Sequence, residues 1–149
     1  MPIGIAAPQP SGIPGFNLSG MYLVAGIGGG AINARQLPGW YNVVRSVINA
    51  NDSVALPPAV CGGEPVIVYN YSNAIDPVTN NPVGVSNTLV VFGSTNPFGV
   101  EDTIDNAGVQ GTAGVAIPAG SMAMFWATTP QSGFTNDWNP GRWNYKILT

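Results

Sequence analysis

The chain has 149 residues, of which 45% are apolar and only 7% charged, and its net charge is −3. This length fits one domain, and so little charge is unusual for a freely diffusing monomer, because charge keeps a surface soluble. Its four basic residues are dispersed, which excludes a basic stripe that could bind nucleic acid. The chain has no histidine, which excludes a catalytic site within it that needs histidine. We therefore expect a non-enzymatic oligomer or a component of a larger assembly, without nucleic acid as a direct partner.

The first 19 residues, "MPIGIAAPQPSGIPGFNLS", mix proline and glycine with isolated apolar side chains. This composition favours an extended segment that cannot pack on itself. We predict an extended N-terminal arm over 1–19 that docks on a neighbour, with a disordered tail as the alternative, and a single domain over 20–149. We expect no membrane partner, because the arm lacks a signal peptide's basic start and the apolar stretch 20–32, with five glycines, is too short to span.

Short runs rich in β-branched and aromatic residues follow the arm, separated by Gly, Pro, Asn and Asp. In "PVIVYNYS" and "YNVVRSVIN" both faces are partly apolar, as expected of strands covered by core on one side and by a neighbouring subunit on the other. No window of eleven residues has a helical apolar stripe free of Gly and Pro. We predict an all-β fold, an antiparallel β-sandwich of jelly-roll-like type. The predicted strands lie in "GMYLVAG", "YNVVRSVIN", "DSVALP", "PVIVYNYS", "NTLVVFGS", "AGVAIPAG", "SMAMFWATT" and "RWNYKIL".

The stretch "VAGIGGGAINARQ" at 24–36 has the spacing of a dinucleotide-binding loop, with Gly26, Gly28 and Ala31, and Asp52 follows about twenty residues on. Such a loop needs a helix behind it to hold the pyrophosphate. A helix from Ala31 would meet Pro38 after about two turns, and no alternating helices and strands follow. We interpret the glycines as a turning joint between the N-terminal segment and the sandwich, and we expect no cofactor.

Two other features could carry chemistry. "EDTID" brings Glu101, Asp102 and Asp105 close together, which would suit a glycosidase pair or a calcium site, but nothing else supplies a groove, so we expect a solvated loop and no metal. Cys61, the single cysteine, cannot form an intrachain disulfide. We interpret it as a small buried apolar residue, with a reactive thiol as the alternative.

The tryptophans and long loops complete the candidates. Trp40, Trp126 and Trp143 lie in or beside predicted strands, where large aromatics fill cores and interfaces, whereas Trp138 in the polar loop "SGFTNDWNP" also leaves ligand stacking open. Long polar loops at 73–87 and 130–141 are candidates for variable contacts. The motif "NPGR" that ends the second loop predicts a type II turn before the last strand, with its proline and glycine at the central positions.

The order of motifs from about residue 42 to residue 148 has a family resemblance. It runs from "VINANDSVALPPAVCGGEPVIVYNYS" through "NTLVVFGS" and "EDTIDNAG" to "IPAGSMAMFWATT" and "GRWNYKIL". This order resembles a domain recurrent in virion proteins of tailed bacteriophages, of the head decoration type; both long loops depart from its usual pattern. The matching residues are Asp52, Ser53, Leu56, Pro57, Gly62, Asn70, Leu89, Val91, Phe92, Asp102, Ile104, Gly120, Phe125 and Trp143.

The resemblance implies a β-sandwich module without catalytic residues, displayed on the outer surface of a capsid that is assembled in the host cytoplasm. Such modules typically form homotrimers that sit on the major capsid protein and cement adjacent capsomers. The alternative function is a tail or fibre component whose loops at 73–87 and 130–141 bind a host surface glycan. A carboxylate-dependent glycosidase is a third hypothesis.

Overall fold

The computed structural model describes residues 20–59, 64–71, 78–81, 87–95, 99–106, 108–131 and 140–148. The arm predicted over 1–19, Cys61, Trp138 and most of the two long loops lie outside these ranges. Predictions about those residues therefore stay predictions.

The described residues form eleven strands and one short turn of 3-10 helix, Ala31–Asn33. Each of the eight predicted runs contains a strand, and the all-β prediction is confirmed. The short strands β2, β7 and β8 were not predicted. The strands are β1 (Gly20–Val24), β2 (Arg35–Gln36), β3 (Tyr41–Ser46), β4 (Ser53–Ala55), β5 (Val66–Asn70), β6 (Leu89–Phe92), β7 (Thr103–Asn106), β8 (Val109–Gly111), β9 (Val115–Ile117), β10 (Met122–Thr129) and β11 (Arg142–Leu148).

The strands pair into two mixed sheets. One has seven strands in the order β1-β3-β5-β10-β11-β7-β8 and the other four in the order β2-β4-β6-β9. Of the nine strand pairings among the described residues, five are parallel, so the prediction of antiparallel pairing throughout is wrong. From β1 to β7 consecutive strands alternate between the sheets. Each sheet therefore receives every second strand, and β1, β3 and β5 pair in parallel in one sheet, as do β2, β4 and β6 in the other.

Both sheets contribute their inner faces to one apolar core. Strands of the seven-stranded sheet supply Val66, Val68, Phe125 and the fully buried ring of Trp143, as expected for that tryptophan. Trp40 packs against this core from its edge. Removal of this apolar surface from water is the main favourable contribution to folding. The four-stranded sheet supplies Val54, Leu89, Val91, Val115 and Ile117.

A buried amide also joins the two sheets. Asn70, at the end of β5, donates through Nδ2 to the carbonyl of Ile117 in β9 and to that of Asn87, each at 2.9 Å. Asn87 in turn donates to the carbonyls of Val47 and Ile48 at 2.9 and 2.7 Å. The Nδ2 group of Asn70 is thus fully paired, whereas its buried Oδ1 has no partner among the described residues. These hydrogen bonds fix how the loops meet the sheets.

Candidate interaction surface

The glycine run forms a joint between the two sheets. Gly26 exchanges two backbone hydrogen bonds with Ser53, at 2.8 and 2.9 Å, and a Cβ at Gly26 would overlap the carbonyl oxygen of Asn33. The three following glycines, 28 to 30, have φ values of 104°, 68° and 74°, which favour glycine. The run therefore carries the chain from β1 in one sheet to β2 in the other. From the sequence we interpreted it as a turning joint but placed that joint between the N-terminal segment and the sandwich, whereas it lies between the two sheets.

The same loop lacks the features of a nucleotide site. The residues after it form a single 3-10 turn and then a strand, so no helix N-terminus faces a bound phosphate. The buried carboxylate of Asp52 lies beneath the loop and accepts hydrogen bonds from the backbone nitrogens of Gly28 at 3.3 Å and Asn49 at 2.9 Å. Asp52 thus occupies an amide that a phosphate would need and adds a repelling negative charge.

Asp102 is fully buried, so the prediction of a solvated "EDTID" loop is wrong for this residue. Its Oδ1 accepts hydrogen bonds from the backbone nitrogen of Gly141 at 2.6 Å and from Nε2 of Gln131 at 3.0 Å, while Oδ2 accepts one from the backbone nitrogen of Ala59 at 2.9 Å. The carboxylate therefore ties the segment at Ala59 to Gln131 and Gly141, which lie 29 or more residues after Asp102. Donors that surround a carboxylate in this way hold a structure rather than a substrate.

The close approach of the backbone to Asp102 also explains why residue 141 is a glycine. The predicted type II turn requires a positive φ at this glycine, and Gly141 lies outside that region, so the turn prediction is wrong. A Cβ at Gly141 would lie 2.8 Å from Oδ1 of Asp102 and would overlap the Cβ of Ala59. Glycine is needed here for space beside the buried carboxylate.

The three acids of "EDTID" do not converge on one site. Glu101 is half-buried, and its burial, followed by the negative charge of Asp102, raises the pKa of its carboxyl. Asp105 lies on β7, where its Oδ1 accepts a hydrogen bond from the backbone nitrogen of Gly108 at 2.6 Å. Within the described ranges no group of three or more acidic or cysteine side chains could hold a metal ion.

The outer face of the seven-stranded sheet, the face opposite the core, carries a continuous apolar surface. Cross-strand partners align in two rows over β3, β5 and β10, and five of the side chains are half-buried while Val43 is 8% exposed. None of them belongs to the core cluster. We call these residues the outer apolar patch: Tyr41, Ile67 and Met124 in the first row, and Val43, Tyr69 and Met122 in the second.

Aromatic and cationic groups border this patch. The rings of Tyr69 and Tyr71 meet edge to face with centroids 5.8 Å apart. The guanidinium carbon of Arg45 lies 5.9 Å from the centroid of the Tyr71 ring, within the range of a cation–π contact. Tyrosine, methionine and arginine are the side chains enriched at protein interfaces. The patch and the residues beside it contain all three of these side-chain types.

Sequence reasoning found only part of this surface. The two-faced patterns of β3 and β5 predicted the second covered side, and their outer side chains do lie together. The contribution of β10 was missed, although "MAMFW" places Met122, Met124 and Trp126 on one face and Ala123 and Phe125 on the other. Trp126, expected in core or interface, is half-buried on this outer face.

Comparison of the chain with protein-family models, curated proteins and solved structures gives no match. In the part of the chain that the structure describes, no helix has the length and apolar character needed to cross a membrane.

Proposed function

We propose that this chain is a capsid decoration or cement protein of a tailed bacteriophage, a non-enzymatic homotrimer bound to the major capsid protein on the outside of the shell. In this proposal the outer apolar patch forms the contact between subunits, and the arm over 1–19 grips the shell. The observation that carries the proposal is the outer apolar patch, which gives one sheet a second apolar face outside the core.

The chemistry of the buried acids supports a structural role. Asp52 and Asp102 accept hydrogen bonds from backbone nitrogens of neighbouring loops, so their carboxylate oxygens are engaged within the fold. A general acid or base must instead have a proton position that a substrate can reach. Asp52 and Asp102 are among the residues that match the phage virion domain. Part of the resemblance therefore lies in residues whose hydrogen bonds hold the fold together.

The proposed fold is a two-sheet β-sandwich of jelly-roll-like type. The single core shared by the two sheets and the alternation of consecutive strands between them support this proposal. The parallel pairs are a departure from the purely antiparallel form of that architecture.

The arm supplies the reach that cementing requires. Its 19 residues contain no charged side chain and four prolines, so it can extend to about 60 Å at the rise of a polyproline helix. A trimer would present three such arms to the shell at once, and linked contacts of modest affinity then bind far more tightly together than singly. Capsomers held in this way resist separation under internal pressure.

The test uses two preparations of the purified protein and capsid shells from which this protein has been removed. Under the proposal, these shells come from the bacteriophage whose genome encodes the chain. We expect the full chain to be a trimer and to co-sediment with the shells, because both patch and arm are present. A variant without residues 1–19 should stay folded and trimeric but lose shell binding. A monomeric full chain that does not bind shells contradicts the proposal, and unchanged binding without the arm contradicts the role of the arm.

A further inference from the structure

A second region of the outer face, beyond the outer apolar patch, carries a row of polar side chains beside an aromatic ring. Trp126 on β10 and Asn144 on β11 are cross-strand partners, as are Asp105 on β7 and Gln110 on β8. The pairing of Trp143 with Ile104 places Asn144 next to Asp105. Four neighbouring strands thus align an indole, an amide, a carboxylate and a second amide, which we call the polar row.

An open depression with a volume of about 490 Å³ lies along this row. The depression is open to solvent, so a ligand would lie on the surface of the sheet and would not be enclosed. Its lining combines the indole of Trp126 with the polar side chains of Asp105, Asn144 and Lys146, whereas the side chains of Tyr145 and Ile147 pack against the core. The lining residues are Asp105, Trp126, Asn144, Tyr145, Lys146 and Ile147.

Contacts within the sheet fix the orientation of the polar groups. Oδ1 of Asp105 accepts the backbone hydrogen bond from Gly108, so the second carboxylate oxygen can accept from a ligand. Oε1 of Gln110 accepts a hydrogen bond from Oγ1 of Thr103 at 2.7 Å, so its Nε2 group can donate. Asn144 adds a donor and an acceptor between them. Groups held in advance lose little conformational entropy when they bind.

These features match one class of ligand. The indole of Trp126 offers a flat apolar surface, and the row beside it alternates hydrogen-bond donors and acceptors at the spacing of neighbouring strands, about 4.8 Å. A sugar ring has the complementary form, with C–H groups on its faces and hydroxyl groups around its edge. The charges of Asp105 and Lys146 cancel, which favours a ligand without net charge.

We propose that the polar row binds a neutral saccharide, with a sugar ring stacked on Trp126 and its hydroxyl groups bonded to Asn144 and Asp105. This site lies on strands and is separate from the long loops. It goes beyond the cement function, because it needs neither the arm nor the outer apolar patch.

Titration of the full-length protein with four oligosaccharides tests this site. The probes are cellotetraose, maltotetraose, mannotriose and triacetylchitotriose at up to about 10 mM, with trigalacturonate as an acidic comparison, followed by calorimetry and tryptophan fluorescence. We expect at least one neutral probe to bind and to change the fluorescence. Trp126→Ala should lower its affinity about tenfold or more, and Asn144→Ala several-fold, while Trp126→Phe retains part of it.

The matched control is Thr128→Ala, which changes an exposed residue of the same strand outside the depression and removes only the 3.3 Å hydrogen bond from its hydroxyl to the carbonyl of Arg142. We expect this variant to bind like the unchanged protein. Circular dichroism and the oligomeric mass of each variant separate loss of binding from loss of folding or assembly. Binding by none of the neutral probes, binding of trigalacturonate alone, or equal affinity after Trp126→Ala in a folded protein each overturns the saccharide site. None of these results bears on shell binding, which tests the cement function.

Discussion

The two faces of the seven-stranded sheet are both apolar, but they differ in how completely the chain covers them. On the inner face Val66, Val68 and Phe125 are fully buried, whereas their neighbours on the outer face, such as Ile67 and Met124, are only half-buried. The same strands carry both faces, so secondary structure does not account for the difference. It assigns the inner face to the stability of the fold, whereas stabilisation of an assembly by the outer face is our proposal, and substitutions on the two faces should separate these effects.

The largest effect is expected from the inner face. Phe125→Ala removes a fully buried ring beside Tyr145, with which it stacks at a centroid distance of 5.7 Å. The lost burial and the cavity left behind should lower the free energy of unfolding by about 3 to 5 kcal/mol, measured by urea denaturation. A loss below about 1 kcal/mol would contradict the assignment of this face to the core.

A smaller but still large effect is expected at the edge between the sheets. Asp102→Ala leaves the donors of Ala59, Gln131 and Gly141 without their acceptor and should lower the free energy of unfolding by about 3 kcal/mol. The control is Glu64→Ala, which removes the same charge from an exposed position and should change stability by about 0.5 kcal/mol or less. Equal effects of the two variants would contradict the structural role of the buried carboxylate.

The outer face should respond differently to an equally drastic change. Met124→Ser, one residue before Phe125 on the same strand, removes a half-buried side chain and should lower the free energy of unfolding by only about 1 kcal/mol. This comparison is made at protein concentrations low enough to keep the chain monomeric, because association itself adds stability. An effect as large as that of Phe125→Ala would place Met124 in the core and remove the contrast between the faces.

The smallest effect concerns Glu101, whose Oε1 atom is buried and, within the described residues, without a hydrogen-bond partner. Its raised pKa means that the folded chain disfavours the charged carboxylate, so ionisation of Glu101 costs stability at neutral pH. Glu101→Gln should therefore be at least as stable as the unchanged protein at pH 7. The difference in stability between the two proteins should shrink as the pH falls below the ordinary pKa of a glutamate, and thermal unfolding measured across this range checks it. A difference that grows as the pH falls would contradict the account.

Local patterns in the sequence predicted the strands well because alternation and β-branched residues act over a few neighbours. The local patterns missed β7 because "EDTID" has the composition of a solvated loop. They also missed the burial of Asp102, because that burial depends on Ala59, Gln131 and Gly141, which are at least 29 residues away. The prediction of antiparallel strands was wrong for a related reason. The alternation of strands between two sheets is a property of the whole chain that no single run contains.

The candidate surface was predictable only in part. The two-faced patterns of β3 and β5 indicate a covered outer side from sequence alone. The alignment of Met122 with Tyr69 and of Met124 with Ile67 depends on the register between β5 and β10, strands separated by more than fifty residues. The same dependence on register hid the polar row, whose members are distributed over β7, β8, β10 and β11.

The mass of the assembly in solution, measured by sedimentation equilibrium, tests the central claim most directly. The unchanged protein should have the mass of a trimer, and Tyr69→Ser/Met124→Ser should have that of a monomer while it keeps the circular dichroism spectrum of the folded chain. This result would assign the outer apolar patch to the contact between subunits. A monomeric unchanged protein, or a double variant that remains trimeric, would contradict the claim.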